Sequence, residues 1–259
     1  VTPGSWLCFR KEISVEKDAS HNLLKIAADS KYWLWINGEL VVREGGLKRG
    51  PNPKDTYCDI LQDVKGLVPG KNTIALLVWY FGKEGFSHRN SPTAGISVDL
   101  TIGKQRYISD DSWKVSIHPS FYIPKGIKPN FRLPESNIGF DAEKKVAFWD
   151  KDFDDTQWKN VKVIKLSGWG QLVERPIPMW KDYGLKDYVK VERKSDTLLV
   201  AYLPYNAQVN PYIKLKAKAG RLIDIRTDNY RGGGTPNVYA EYITKSGIQE
   251  FEAWGWMNG

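Results

Sequence analysis

The sequence has 259 residues, of which 41% are hydrophobic and 26% are charged, so the chain is long enough for one large domain or two ordinary ones. The net charge of +8 could indicate a nucleic-acid partner, but basic residues alternate with apolar ones, as in residues 212–218, and no nucleic-acid-binding motif is present, which excludes that class. No run reaches the ~18 apolar residues of a membrane span, so no membrane partner is predicted.

Residues 1–117 are predicted to form a β-sandwich. Short β-prone runs are separated by clusters of Gly, Pro, Asn or Asp, and the apolar period of a helix is almost missing. One helical turn is predicted over residues 61–68. In residues 95–102 apolar and polar side chains alternate, which predicts a strand with one buried face. The predicted strands are 9–15, 22–28, 32–36, 40–43, 56–60, 73–81, 95–102, 106–109 and 113–117.

The segment 32–42 gives the clearest strand signal. Asn37-Gly38 lies between two β-prone runs, and a type I′ turn needs φ > 0 at both central residues, which Asn and Gly adopt most easily. The run before this turn is apolar on both faces, so we expect the strand to be covered on both sides. The aromatic content of 13% fits either a sugar-binding surface or the core of a large sandwich.

Two long polar loops, 44–55 and 82–92, interrupt this block and are candidates for a binding site. If both lie at one end of the sandwich, they bring together a ring for stacking and polar groups for vicinal hydroxyls. Two alternatives stay open: the loops dock onto another part of the protein, or Phe86 plugs the sandwich end and the charges are merely solvated. The candidate carbohydrate-binding residues are Arg49, Asp55, Phe86, His88, Arg89 and Asn90.

The remaining chain is predicted to form a Pro- and Trp-rich connector, 118–188, and a partial second sandwich, 189–259. The second sandwich has too few strands to close comfortably, and the chain stops on apolar aromatic residues, so we expect the parent protein to continue. In residues 212–217, Ile213, Leu215 and Ala217 are predicted to face inward and the lysines outward. The predicted strands are 189–193, 197–202, 212–217, 222–227, 238–244 and 250–254.

Two similar segments, 110–114 and 154–159, each carry adjacent aspartates followed by Ser or Thr and then Trp. Adjacent residues of a strand point to opposite faces, so these carboxylates would not share a substrate. We predict turns in which the side chains bond local backbone, followed by a Trp that anchors the next strand.

Cysteine and histidine do not indicate a catalytic or metal site. Cys8 and Cys58 could form a disulfide if the protein is exported, but two buried thiols are favoured. His21, His88 and His118 have no nucleophile motif beside them and no metal-ligand spacing. No cofactor is predicted. A structural calcium ion is an open alternative that cannot be located from the sequence. A periplasmic or secreted location would follow if the parent carries a signal peptide.

Several segments together resemble a known family. Residues 28–38 with 70–75 resemble the galactose-binding-like jelly-roll modules that precede the catalytic domains of many glycoside hydrolases. Residues 108–114 resemble the closing strands of that module in bacterial α-L-rhamnosidases of glycoside hydrolase family 78. Three further segments resemble the modules that follow the jelly roll in the same enzymes, namely residues 174–179, 228–234 and 255–259.

The resemblance implies a mainly β chain, in which a jelly-roll module (1–117) is followed by a connector (118–188) and a partial sandwich (189–259). In this family the general acid and base belong to a C-terminal α/α barrel, and no amphipathic helical run here could build one, so no catalysis is expected from this chain alone. The implied role is that of a non-catalytic N-terminal region. This region supports the barrel, which is its partner in the same polypeptide, or it holds rhamnose-containing glycans near the barrel. A purely structural assembly and a lectin-like carbohydrate-binding protein are the alternatives.

Overall fold

The structure is a computed structural model that describes residues 1–16, 21–46, 52, 54–86, 88–91, 93–126, 128–129, 133–164, 168–226, 239–255 and 257–258. It confirms the mainly β fold class. Among these residues the one helical element is a 3₁₀ turn at Ala142–Lys144, and no helix is long and apolar enough to cross a membrane. The strands are β1 (Ser5–Val15), β2 (Asn22–Asp29), β3 (Lys31–Ile36), β4 (Glu39–Gly46), β5 (Thr56–Gln62), β6 (Gly70–Tyr80), β7 (Gly95–Ile102), β8 (Gln105–Ile108), β9 (Lys114–Ile117), β10 (Phe121–Tyr122), β11 (Ile138–Asp141), β12 (Lys159–Asn160), β13 (Leu172–Glu174), β14 (Lys190–Arg193), β15 (Leu199–Tyr202), β16 (Gln208–Val209), β17 (Tyr212–Ala217), β18 (Leu222–Arg226), β19 (Tyr239–Ile243), β20 (Gly247–Glu252) and β21 (Met257–Asn258).

The chain divides into two compact units that interleave in sequence. The first unit comprises residues 1–119, 131–135 and 146–181, and the second comprises residues 120–130, 136–145 and 182–259. Residues 118–188, predicted as a connector, contribute to both units and contain the short strands β10 to β13. The division of the chain at residues 117 and 188 stays a prediction.

The first unit is a sandwich of two sheets. One sheet has six strands in the order β12-β9-β1-β6-β3-β4, and the other has five in the order β13-β5-β2-β7-β8. Their facing side chains form one buried aliphatic and aromatic cluster, which includes Leu34, Leu76 and Val98 at 0%, 0% and 3% exposure. The predicted alternation in β7 is confirmed, because Val98, Leu100 and Ile102 are buried while Asp99 and Thr101 between them are partly exposed.

The hairpin of β3 and β4 forms as predicted. Asn37 and Gly38 have φ values of 51° and 89°, and all six residues of β3 are buried. The Asn37 side chain donates to the carbonyl of Gly66 at 2.8 Å, which fixes the turn against the neighbouring loop. Its alternate side chains are covered on opposite faces, since Leu34 belongs to the sandwich core and Trp33 stacks on Trp6.

Much of the aromatic content is used for packing. On the face of the six-stranded sheet turned away from the sandwich core, Trp6 stacks on Trp33 and Trp79, with centroid separations of 5.4 and 4.5 Å. Nearby, Trp35 stacks on Trp149 at 5.4 Å. These tryptophan rings therefore belong to a packed layer rather than to an open stacking surface.

Two details of the first unit differ from the prediction. Residues 61–68 do not make a helical turn: Leu61 belongs to β5, and Asp63 and Gly66 have positive φ values of 50° and 89°. The cause is the distant Asn22, whose side chain accepts from the Val64 N–H at 2.9 Å and donates to its carbonyl at 3.1 Å. Glu44, predicted to begin a loop, belongs to β4, which runs on to Gly46.

The predicted aspartate turns are present. The Asp110 side chain accepts from the backbone N–H of Ser112 at 3.1 Å, and Asp154 accepts from that of Thr156 at 2.9 Å. Trp113 is 1% exposed and belongs to the sandwich core, as expected of an anchoring ring. Cys8 and Cys58 are free and buried, and burial raises the pKa of both thiols.

The second unit contains smaller sheets. A four-stranded sheet has the order β10-β11-β19-β18, and three strand pairs accompany it: β14-β15, β16-β21 and β17-β20. Its core is aromatic, with the ring of Tyr242 4.5 Å from that of Phe251 and the ring of Phe140 5.4 Å from Phe251. In β17 the lysines are exposed and the alternate apolar residues are half-buried, as predicted.

Candidate functional site

The strand registers place both long loops at one end of the first sandwich. In this register Lys31, at the start of β3, lies opposite Gly46 at the end of β4 and opposite Trp79 near the end of β6. Asp29, at the end of β2, lies opposite Gly95 at the start of β7. The segments between β4 and β5 and between β6 and β7 therefore leave the same end, which we call the loop end.

A buried lysine lies at the loop end. Lys31 is 3% exposed, and its Nζ lies 3.2 Å from Glu44 Oε1 and 3.3 Å from Glu135 Oε1. The same ammonium lies 5.9 and 5.8 Å from the ring centroids of Trp79 and Phe81. Two carboxylates and two rings thus compensate the desolvated charge of this lysine.

A second buried charge, Asp59, joins three segments of the chain. Its Oδ2 accepts from the Tyr32 hydroxyl at 2.8 Å and from the Gly46 N–H at 2.9 Å, and its Oδ1 lies 2.6 Å from Arg175 Nε. Burial raises the pKa of Tyr32 well above its ordinary value, with the negative charge of Asp59 as the next cause. A Cβ at Gly45 would overlap the Tyr32 ring, so only glycine allows β4 to pass this network.

A third network holds the 82–92 loop against the sheet. Asp29 accepts from the hydroxyl and the backbone N–H of Ser91, the latter at 3.0 Å, and Ser30 donates to Asp29 at 2.7 Å. The Ser30 hydroxyl oxygen accepts from the Phe81 N–H at 3.1 Å, and Tyr80 donates to the Ser91 carbonyl at 3.1 Å. The loop is therefore attached to β2 and β6 through buried groups.

The predicted site residues occupy different environments at this end. His88 is 2% exposed, with its ring 5.2 Å from that of Phe81, so it packs inside the loop. Arg89 lies 3.6 Å from Glu84, and Glu84 also accepts from the Asn90 N–H at 3.2 Å. Phe86 is 78% exposed.

Asp55 is bonded elsewhere, since its Oδ1 accepts from the Gln171 N–H at 3.1 Å. Arg49 lies outside the described residues. The structure therefore brings Arg89 and Asn90 together through Glu84, leaves Phe86 projecting, and gives Asp55 a separate role.

Phe86 is held at the tip of a braced loop. Gly85 and His88, on either side of the tip, form an antiparallel bridge, with the Gly85 N–H donating to the His88 carbonyl at 3.1 Å. The loop also packs on Pro134, because a Cβ at Gly85 would come 2.5 Å from its ring. An exposed ring on a fixed loop can contact a ligand or a partner surface with little loss of conformational entropy.

The charged groups at the loop end that sequence reasoning missed are Lys31, Glu44, Asp59 and Arg175. A signal was present for Asp59, a charged residue within the predicted strand 56–60, whereas Lys31 directly precedes the predicted strand 32–36. Their partners lie far along the chain, so the pairing itself could not be derived. Among the described residues no group of three or more His, Cys, Asp or Glu side chains is placed to hold a metal ion.

The second unit carries a different surface feature. Among residues 182–226, all of which the structure describes, only Pro211 is buried. Val191 and Leu199 lie on one face of the β14-β15 hairpin with exposures of 57% and 65%, and the preceding Val189 is 66% exposed. The same face carries Ala201 opposite Val191 and Arg193 opposite Leu199, so the exposed apolar residues form a small patch beside one cation.

The fold matches solved structures of much longer proteins. No protein-family model and no curated protein matches the sequence. The α-L-rhamnosidase from Dictyoglumus thermophilum matches 98% of this chain with a TM-score of 0.74 and 20% identity, over 30% of its own length. Those from Aspergillus terreus and, complexed with L-rhamnose, Streptomyces avermitilis match 98% of the chain with TM-scores of 0.72 and 18% identity, over 31% and 26% of their lengths. The chain thus has the fold of part of these enzymes and spans about a third of their length or less, which confirms the resemblance at the level of fold.

Proposed function

We propose that this chain is the non-catalytic N-terminal β-sandwich region of an α-L-rhamnosidase-like glycoside hydrolase, and that it supports the catalytic domain of the same polypeptide. The observation that carries the proposal is the match in fold across 98% of this chain to only 30% of a longer rhamnosidase. A region that repeats the fold of one part of such an enzyme is expected to serve as that part.

The chemistry of the loop end supports a structural role. Inverting glycoside hydrolysis needs two carboxyl groups roughly 6.5–9.5 Å apart with room for a water between them. The buried carboxylates Glu44 and Asp59 are instead each held by a cation, Lys31 and Arg175 respectively. Such charges stabilise a fixed arrangement of loops and have no access to a glycosidic bond.

The exposed apolar residues of β14 and β15 support docking of the second unit onto another domain. Sheets bury an apolar face against another layer, and among the described residues no side chain of β14 or β15 is buried. The occupant that we propose is the catalytic domain of the same polypeptide, since most of the length of the similar rhamnosidases lies outside the matched part.

The docking proposal is tested by a double substitution, Val191→Lys/Leu199→Lys, made both in this chain and in the longer polypeptide that the proposal requires. We expect no change in the melting temperature of the 259-residue chain, because both side chains are exposed in it. In the longer polypeptide we expect a lower melting temperature and lower α-L-rhamnosidase activity. Equal stability and activity of the longer wild type and variant would contradict docking at this face.

Carbohydrate binding at the loop end is a second candidate, favoured by the 78% exposure of Phe86 on its braced loop. The ring would stack on a sugar face, and Arg89 would donate to its hydroxyls. Calorimetry with L-rhamnose and rhamnosides should then give millimolar or tighter binding that is lost in Phe86→Ala/Arg89→Ala. Identical flat traces for wild type and variant would reject this candidate and leave docking unaffected.

A further inference from the structure

We propose that Lys31 and Glu135 form an intramolecular amide cross-link at the loop end, with Glu44 as the group that transfers protons between them. Such a bond is a covalent modification of the chain by its own side chains and needs no second substrate. It rests on the contacts of Lys31 and not on the function proposed above, so either can fail without the other.

Lys31 is buried between two carboxylates. Its Nζ lies 3.2 Å from Glu44 Oε1 and 3.3 Å from Glu135 Oε1. Since the Cδ of Glu135 is bonded to Oε1, the nitrogen of Lys31 lies close to the carbon that it would attack. Well-oriented groups held together in this way can react with effective molarities of about 10⁵–10⁸ M, so condensation is strongly favoured over that of the free groups in water.

Aromatic rings close the site against water. The ring centroids of Trp79 and Phe81 lie 5.9 and 5.8 Å from Lys31 Nζ, and both side chains are buried. Ionised groups are costly to keep in such surroundings, because burial removes their hydration. An amide replaces the two charges of the pair by one neutral group, and the exclusion of water slows its hydrolysis.

The two carboxylates differ in a way that assigns their roles. Glu135 Oε2 is buried and has no hydrogen-bond partner among the described residues, so this oxygen can depart without breaking another contact. Glu44 belongs to β4 and has a φ of 73°, a conformation that a residue other than glycine keeps only when its surroundings fix it. Glu135 is therefore the group that is attacked, and Glu44 is the fixed proton carrier.

The reaction is a condensation that takes no proton from outside the site. Glu44 accepts one proton from the Lys31 ammonium, and the neutral amine attacks Cδ of the Glu135 carboxylate. A bond forms between Nζ and Cδ, and the bond between Cδ and Oε2 breaks. Oε2 leaves as water with two protons that come from Nζ through Glu44, which ends ionised as it began. One ammonium and one carboxylate thus become one amide and one water.

The bond would fasten a short segment of the chain to β3. Residues 131–135 belong to the first unit, whereas the chain on either side of them belongs to the second. Leu133 in this segment accepts from Lys83 of the 82–92 loop at 3.3 Å, a single contact that thermal motion can break. An amide between Lys31 and Glu135 would instead close a loop of about one hundred residues permanently, which restricts the unfolded chain.

The intact mass of the denatured 259-residue protein tests the bond. We expect a mass lower than that of the sequence by one water, and after proteolysis a branched peptide that joins Lys31 to Glu135. Lys31→Arg keeps the cation but should have the full mass of its own sequence. Glu135→Gln should lose one ammonia in place of one water, because the side-chain amide nitrogen is then the leaving group. Glu44→Gln should slow the reaction by about 10²–10⁴-fold, leaving most of the protein at full mass.

The exposed pair of Lys214 and Glu250 is the matched control. Its atoms lie closer, at 2.9 Å, but its side chains are 63% and 53% exposed, so its peptides should remain separate. A wild-type protein with a β-rich circular dichroism spectrum and the full sequence mass would overturn the proposal. A loss of water that persists in Lys31→Arg would also overturn it, and so would a branched peptide that joins Lys31 to Glu44.

Discussion

The two units use similar strands but bury very different amounts of them. In the first unit two large sheets face each other, and an outer aromatic layer covers the six-stranded sheet, so that β3 is buried along its whole length. In the second unit residues 182–226 form strands with one buried residue among them, Pro211. Strand pairs need a further layer for independent stability, so the exposure of these strands supports the proposal that another domain covers them.

The largest difference in stability between the two units is expected when one buried and one exposed leucine are each replaced by alanine. Leu76 in β6 is 0% exposed and Leu199 in β15 is 65% exposed. Leu76→Ala should lower the free energy of unfolding by about 2–5 kcal/mol, because it removes transfer energy and leaves a cavity, whereas Leu199→Ala should change it by less than about 0.5 kcal/mol. Urea denaturation measures both. Equal effects would remove the distinction between the units.

Removing one buried carboxylate from the first unit and one exposed carboxylate from the second should give almost as large a difference in stability. Asp59 is buried with three partners, while Glu250 forms an exposed ion pair with Lys214 at 2.9 Å. Asp59→Ala should destabilise the first unit by about 3–5 kcal/mol, because it leaves the Arg175 charge buried without compensation. Glu250→Ala should leave the denaturation midpoint nearly unchanged. A small effect of Asp59→Ala would show that the loop end is not fixed by this network.

The β3-β4 turn provides a smaller effect within the first unit. Gly38→Val should destabilise the protein by about 1–3 kcal/mol, because a β-branched residue is strained at the φ of 89° observed here. Gly38→Asn is the control, since Asn tolerates positive φ and should retain most of the stability. Thermal unfolding that is unchanged by Gly38→Val would mean that the turn tolerates side chains at this position.

The smallest expected effect is on the pH dependence of stability in the acidic range. Burial alone would raise the pKa of Asp155, but hydrogen bonds from Lys114 and Arg10 outweigh it and hold the pKa below its usual value. The stabilisation is therefore complete above the ordinary aspartate pKa of about 3.9 and is lost as pH falls through the lower folded value. Asp155→Asn should make the midpoint of denaturation less dependent on pH in this range. Asp196→Asn, at a 97% exposed side chain in the second unit, should keep the wild-type pH dependence.

Local pattern was sufficient to predict much of the fold. The alternation in residues 95–102 and 212–217 gave the bounds of β7 and β17, and Asn37-Gly38 gave the hairpin turn. Residues 61–68 were predicted wrongly because a side chain about forty positions earlier, Asn22, determines their conformation.

The candidate sites depended on pairings that local pattern does not contain. β11 joins β19 as a parallel neighbour about one hundred residues later, a pairing that becomes visible only in the folded sheet. At the loop end the sequence predicted the loops and Phe86 as a candidate, but it left open whether this ring plugs the sandwich end and did not show that His88 lies inside. The buried charges there pair across β3, β4, β5 and residue 175, which are separate in sequence.

Hydrogen–deuterium exchange tests the central comparison most directly. In the 259-residue chain we expect amides of β3 and β6 to exchange slowly and those of β14 and β15 to exchange orders of magnitude faster, because no residue of β14 or β15 is buried. In the longer polypeptide, β14 and β15 should become protected while β3 and β6 remain unchanged. Equal protection of all these strands in the 259-residue chain would contradict the account, since the second unit would then need no partner.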